Sequence, residues 1–198
     1  MEDRILTERE SLELITRMIK ETQENTARYA AYPLLIWGYI TLAIALVIWY
    51  VLSFVGDYYQ IQFLWFLLPV VAFPLTLYYS RKDSAHRGTR NYIDRIIGQI
   101  WMVFGMVGFF LSVASWVGKV DIYFLIPLLM GMGVTLSGSV SRFKPMAVLG
   151  MVGVISSFLI LWIHGIDRLL VFSAIFVAMM VIPGHLLNYQ MKKQCLKN

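Results

Sequence analysis

Three aspartates, Asp57, Asp121 and Asp167, fall at turn-like positions between long apolar stretches. If the flanking helices surround a common axis, these carboxylates would form an external acidic mouth that draws in cations. Solvated turns use aspartate too, because its carboxylate bonds nearby backbone. The other chemistry-bearing residues are scattered. His86, His164 and His185 share no spacing, and zinc needs three or four converging ligands. A serine nucleophile needs an adjacent base. A membrane-embedded enzyme would therefore require Ser137 or Ser139 to meet His164 or His185 in a wet cavity. The apolar stretches hold no acid to relay a proton, and Cys195, the sole cysteine, excludes an intramolecular disulfide. No catalytic residue, metal or cofactor is expected. Arg81, Lys82, Arg87 and Arg90 make a basic stretch that suits contact with anionic head groups. No glycine-rich loop leads into a helix there with the spacing of a phosphate cradle.

The elements that position these residues are membrane spans. The chain is 59% hydrophobic and 15% charged, with mean hydropathy +0.67, which excludes an ordinary soluble domain. Six apolar stretches are read, at about 33–55, 62–80, 96–118, 122–140, 146–163 and 169–190. Most approach or exceed the roughly 20 residues that carry a helix across hydrocarbon. The expected fold is all-α: a polytopic bundle of six transmembrane helices over 33–190, a cytoplasmic amphipathic helix and lead-in over 1–32, and a basic tail over 191–198.

Charge orients this arrangement. Of seventeen Lys and Arg residues, fifteen lie in the N-terminal segment, the loops after spans two and four, and the tail; only Lys119 and Arg168 lie in the other loops. The positive-inside rule then makes both termini cytoplasmic. The first apolar run begins near residue 33, has full-span length and follows an acidic segment, so it is expected to insert uncleaved. The pI near 9.3 calls for no nucleic acid, because the excess base sits beside the bilayer.

Residues 7–30 read as one amphipathic helix opened by a Thr7–Glu10 capping box. Leu12, Ile15, Met18 and Ile19 share one face, while four acids and four bases occupy the other. A helix built to lie on anionic lipid would be rich in lysine. The balanced face suits docking on protein: the inner loops, a second copy of the chain, or a cytosolic regulatory partner.

Within the bundle, Gly38 with Trp49, Gly105 with Trp116, and Gly150 with Trp162 fall on the odd spans, a pattern consistent with three tandem hairpins. Glycine concentrates in spans three to five, and small residues let helices approach closely where lipid supplies no hydrophobic drive. Those spans are the expected packed centre.

The string Glu10-Ser11-Leu12-Glu13-Leu14-Ile15, with Met18-Ile19 and Ile36-Trp37-Gly38-Tyr39, resembles a family of uncharacterised multispanning membrane proteins of Bacteroidota. The ending Ile182-Pro183-Gly184-His185-Leu186-Leu187-Asn188 is similar to theirs as well. The resemblance implies a bacterial inner-membrane location and genetic association with a small winged-helix regulator. It implies no activity, ligand or catalytic residue.

The leading expectation is a non-enzymatic sensor or regulatory membrane protein whose N-terminal helix docks a partner. The alternative is a small-solute or ion channel with its mouth at the three aspartates, and third comes a membrane-embedded enzyme.

Overall fold

The computed structural model describes residues 7–56, 58–84, 92–118 and 120–195, and every element among them is helical. Helix α1 runs Glu8–Tyr50 and ends in a π-helical turn, Val51–Val55. A 3₁₀ segment, Tyr59–Phe66, leads into α2, Leu67–Ser84. Then follow α3 (Tyr92–Trp116), α4 (Ile122–Val140) and α5 (Lys144–Ser157), which tightens into a 3₁₀ turn at Phe158–Leu161. The last span joins α6 (Arg168–Phe176), a π segment (Val177–Val181) and α7 (Ile182–Cys195).

Six of these stretches are long and apolar enough to cross a membrane: Ala31–Val55, Gln60–Arg81, Tyr92–Ser115, Ile122–Val140, Lys144–Leu161 and Arg168–Gln190. Their ends lie within four residues of the expected ones. Length and hydropathy are local properties of the chain, which is why they are legible without tertiary information.

The expected boundary at residue 32 is not a helix end. α1 passes through Pro33 without interruption, for 43 residues. A proline inside a helix deletes one backbone donor and crowds the preceding turn, at a cost of about 3 kcal/mol in isolation. Here the flanking residues Ala31 and Leu34 are buried and Gly184 of α7 presses close, since a Cβ on Gly184 would fall 2.8 Å from the Leu35 side chain. Packing along α7 carries the helix through the break. At the helix start the capping box is present: Thr7 N donates to Glu10 Oε2 at 2.9 Å, and Glu10 N donates to Thr7 Oγ1 at 3.4 Å.

Span three is not part of the packed centre. Within an apolar stretch of 18 residues, the sixth span is 56% buried against 0% for the third. The core joins Ala45 and Ile48 of α1 to Phe172, Phe176, Met179 and Met180 of the sixth span and Val134 of α4. α3 lies outside, against α4, and α2 packs on α1. The glycines show why composition misled. A Cβ on Gly98 or Gly105 of α3 would meet nothing within 4 Å. On Gly138 it would fall 2.4 Å from Ala147 N, and on Gly150 2.6 Å from Thr135 N. The closest backbone-to-backbone approach lies between α4 and α5, whereas Gly153 and Gly184 meet the side chains of Met179 and Leu35.

The α4–α5 turn is a Schellman motif. Phe143 N donates to Gly138 O at 2.9 Å and Arg142 N to Ser139 O at 3.2 Å, with Arg142 at φ 54° in the left-handed position where glycine is commonest.

The three glycines of the glycine–tryptophan pattern take unlike places in the packing. Gly38 lies against Val181, Gly105 faces open space and Gly150 lies against Thr135. Trp49 packs on the core, whereas Trp162 is 75% exposed.

Candidate functional site

The richest polar arrangement lies at the span ends remote from the termini. α1 brings Trp49, and its terminal π turn brings Leu52. The 3₁₀ lead-in to α2 supplies Gln62 and Trp65. Asp121 caps the start of α4, where Tyr123 follows, and Asp167 precedes α6, which begins at Arg168. Gly165 takes φ 85° in the loop before α6, a backbone state that side chains disfavour.

Arg168 organises the group. Its Nη2 makes an ion pair with Asp121 Oδ2, and its guanidinium lies over the Tyr123 ring at 5.6 Å. Arg168 Nε is buried and has no hydrogen-bond partner. The Tyr123 hydroxyl donates to Gln62 Oε1 at 2.8 Å, and Trp65 Nε1 donates to the same oxygen at 3.1 Å. An indole N–H can only donate, so this pair fixes which way the Gln62 amide faces. Its NH2 end is turned away from the rings. Trp49 Nε1 reaches Asp167 Oδ1 at 3.4 Å, linking the end of α1 to the start of α6.

Between these residues is a recess of about 170 Å3, lined by Leu52, Gln62, Tyr123, Gly165, Ile166, Arg168 and Leu169. An aromatic cluster adjoins it through Tyr123. Phe172 packs edge-on against Trp65 (5.5 Å) and Tyr123 (6.0 Å) and tilts against Phe176 (4.7 Å). Polar and apolar side chains thus line a small recess beside an aromatic cluster.

The expected site residues divide sharply. Asp121 and Asp167 both lie at this end, but Asp121 already holds a counter-charge in Arg168, and Asp57 lies outside the described residues. Leu12 is 65% exposed on the α1 extension; Ile15, Met18 and Ile19 belong to the same helix, and their side chains lie outside the described residues. Arg81 is exposed near the end of α2, the Lys82 side chain is outside the described set, and so are Arg87 and Arg90.

The serines and histidines weighed for an enzyme are spread apart. Ser139 Oγ donates to Thr135 O at 2.9 Å, and Ser137 is buried on α4. His164 contacts Trp162 O at 3.2 Å in the remote loop, while His185 Nε2 lies 2.6 Å from the Tyr39 hydroxyl near the termini. Sequence reasoning missed Arg168 and Gln62. The available signal for Arg168 was its isolation: one of two bases on the base-poor side, placed directly beside an aspartate.

No family model, curated protein sequence or solved structure matches the chain.

Proposed function

We propose that this multi-pass protein is a non-enzymatic regulator in a bacterial inner membrane, with both termini cytoplasmic, that docks a cytosolic partner or a second protomer through residues 8–30. The observation that carries this reading is the continuity of α1 across Pro33. At 1.5 Å per residue its 43 residues span about 65 Å, and only Ala31 onward belongs to the first membrane span. The remainder, from Glu8 on, continues the same helix without a break in its helical assignment. A change in how span one packs would therefore swing the extension as a rigid arm, which is the mechanical requirement for a signal crossing from bundle to partner. The balanced charge of the extension supports protein, not lipid, as its counterpart. The basic residues at that end and the likeness to the Bacteroidota membrane family support the location and orientation.

The conduction alternative has less behind it. Asp121 is paired with Arg168.

Purification in gentle detergent, with the chain intact and with residues 1–30 deleted, tests the docking. A stoichiometric soluble partner, or a dimer, that disappears on deletion is the expected result; the same assembly in both preparations overturns it. A reporter fused after Lys197 should read cytoplasmic.

A further inference from the structure

The outward face of α3 carries an amide that the bundle does not use, and we infer that this face holds a second copy of the chain in a parallel, twofold pair. This goes beyond the docking reading and does not depend on it. α3 packs on α4 through Trp101, Phe104 and Gly108. At about 100° per residue, Gln99 stands on the opposite side of the helix from Gly108. It is exposed, and it lies about 7 Å from the midpoint of the span Tyr92–Ser115, well inside a hydrocarbon half-thickness of about 15 Å. Hydroxyls on the outer helices close on their own backbone: Thr76 donates to Ala72 O at 2.7 Å and Ser112 to Gly108 O at 2.8 Å. The Gln99 amide has no hydrogen-bond partner among the described residues. Acyl chains offer neither donor nor acceptor, so lipid alone leaves this amide unmet.

What meets it follows from symmetry. Two copies inserted with the same topology are related by a twofold axis along the membrane normal, so their third spans run parallel with equal residues at equal depth. Gln99 then faces Gln99 of the second copy. An amide carries both donors and an acceptor, so two of them pair reciprocally. The face suits such a partner along its length. Gln99, Met102, Met106, Phe109 and Val113 are all exposed and follow one another at alternating spacings of three and four, the seam of a left-handed helix pair. A single polar residue in such a seam sets its register. Beside the seam lie Gly98 and Gly105, seven apart, where a Cβ meets nothing within 4 Å of the chain itself. A second helix can come close there, and close approach is what joins helices where lipid supplies no hydrophobic drive. Arg95 shares the face nearer the start of the span, where its long side chain can keep the charge among the head groups.

The test is disulfide mapping of the full chain in lipid bilayers, on a Cys195→Ser background so that each introduced thiol is the only one. Met102→Cys and Met106→Cys put thiols in the seam and should link two chains on oxidation. Val107→Cys, exposed on the far flank of α3, should not. Photobleaching steps of single molecules carrying a fluorescent protein after Asn198, counted at several dilutions in lipid, then give the affinity of the pair. Gln99→Leu should weaken it at least about threefold, and Gln99→Asn, which keeps an amide, should weaken it less. Gly105→Leu fills the open side of the seam and should also weaken it at least about threefold. No linking in the seam, linking at Val107→Cys as strong as at Met102→Cys, or an unchanged affinity in Gln99→Leu overturns the proposal. Thermal unfolding identifies a variant that has lost its fold, and the contrast between Met102→Cys and Val107→Cys stands without the others. Deletion of residues 1–30 should leave the seam disulfide in place, and a pair lost on that deletion overturns the proposal. Failure of partner docking and failure of this pair are therefore separate results.

Discussion

Arg168 and Asp121, separated by 47 positions, form an ion pair that ties the first residue of α6 to the cap of α4. An aspartate that looks available for external cations thus meets a cation supplied by the chain itself. The pair also explains why the start of α6 sits over Tyr123, since the guanidinium lies across that ring.

A double-mutant cycle on Asp121→Asn and Arg168→Gln should give a coupling of about 0.5–1 kcal/mol. The value is modest because both side chains retain contact with solvent, at 23% and 37% exposure. Unfolding of the four proteins in one detergent measures it. Strict additivity would mean that the pair contributes nothing to stability.

Glycine replacements should sort by place and not by span composition. Gly138→Ala and Gly150→Ala put a methyl into backbone at 2.4 Å and 2.6 Å, and each should destabilise by about 1–3 kcal/mol. Gly105→Ala enters open space inside α3 and should leave stability unchanged or raise it by up to about 1 kcal/mol. Thermal unfolding of the three variants decides between close backbone packing of α4 on α5 and glycine serving all the central spans alike.

Arg142 holds the left-handed position of a Schellman turn, which costs an ordinary residue about 1 kcal/mol. Arg142→Gly should therefore stabilise the protein by an amount of that order, despite the added freedom of the unfolded chain. A lower unfolding temperature in the glycine variant would contradict the assignment.

The start of α1 should respond to acid. The Thr7 backbone N–H, and then its hydroxyl, hold the Glu10 carboxyl below the usual glutamate range. A carboxylate with a depressed folded pKa contributes stability that is fully present above its unfolded value of about 4.3 and is lost as pH falls through the lower folded value. Amide exchange at residues 8–11 should therefore be slow near neutrality and accelerate as pH drops below about 4, after correction for intrinsic rates. Glu10→Gln should flatten that dependence.

The spans, the cap and the polar turns were legible in sequence because each rests on residues within a few positions of one another. Hydropathy over a window locates Ile122–Val140 to the residue, and Thr7 with Glu10 announces a helix start. The candidate recess was not legible as a unit. Asp121 and Asp167 stood out as turn residues, and Gln62 carried no local signal. Nothing local says that Gln62 would accept from Tyr123, 61 positions away.

What the sequence determined by itself is the kind of molecule: a multi-pass helical membrane protein. The reason is that transfer of an apolar helix into hydrocarbon depends on its own side chains and satisfies its own backbone. Tertiary structure alone decided which spans are central, whether α1 continues through Pro33, and where Arg168 finds its partner. Those outcomes depend on the shapes of facing helices and on buried donors finding acceptors. In lipid, apolar faces are nearly equivalent until close packing and hydrogen bonds distinguish them.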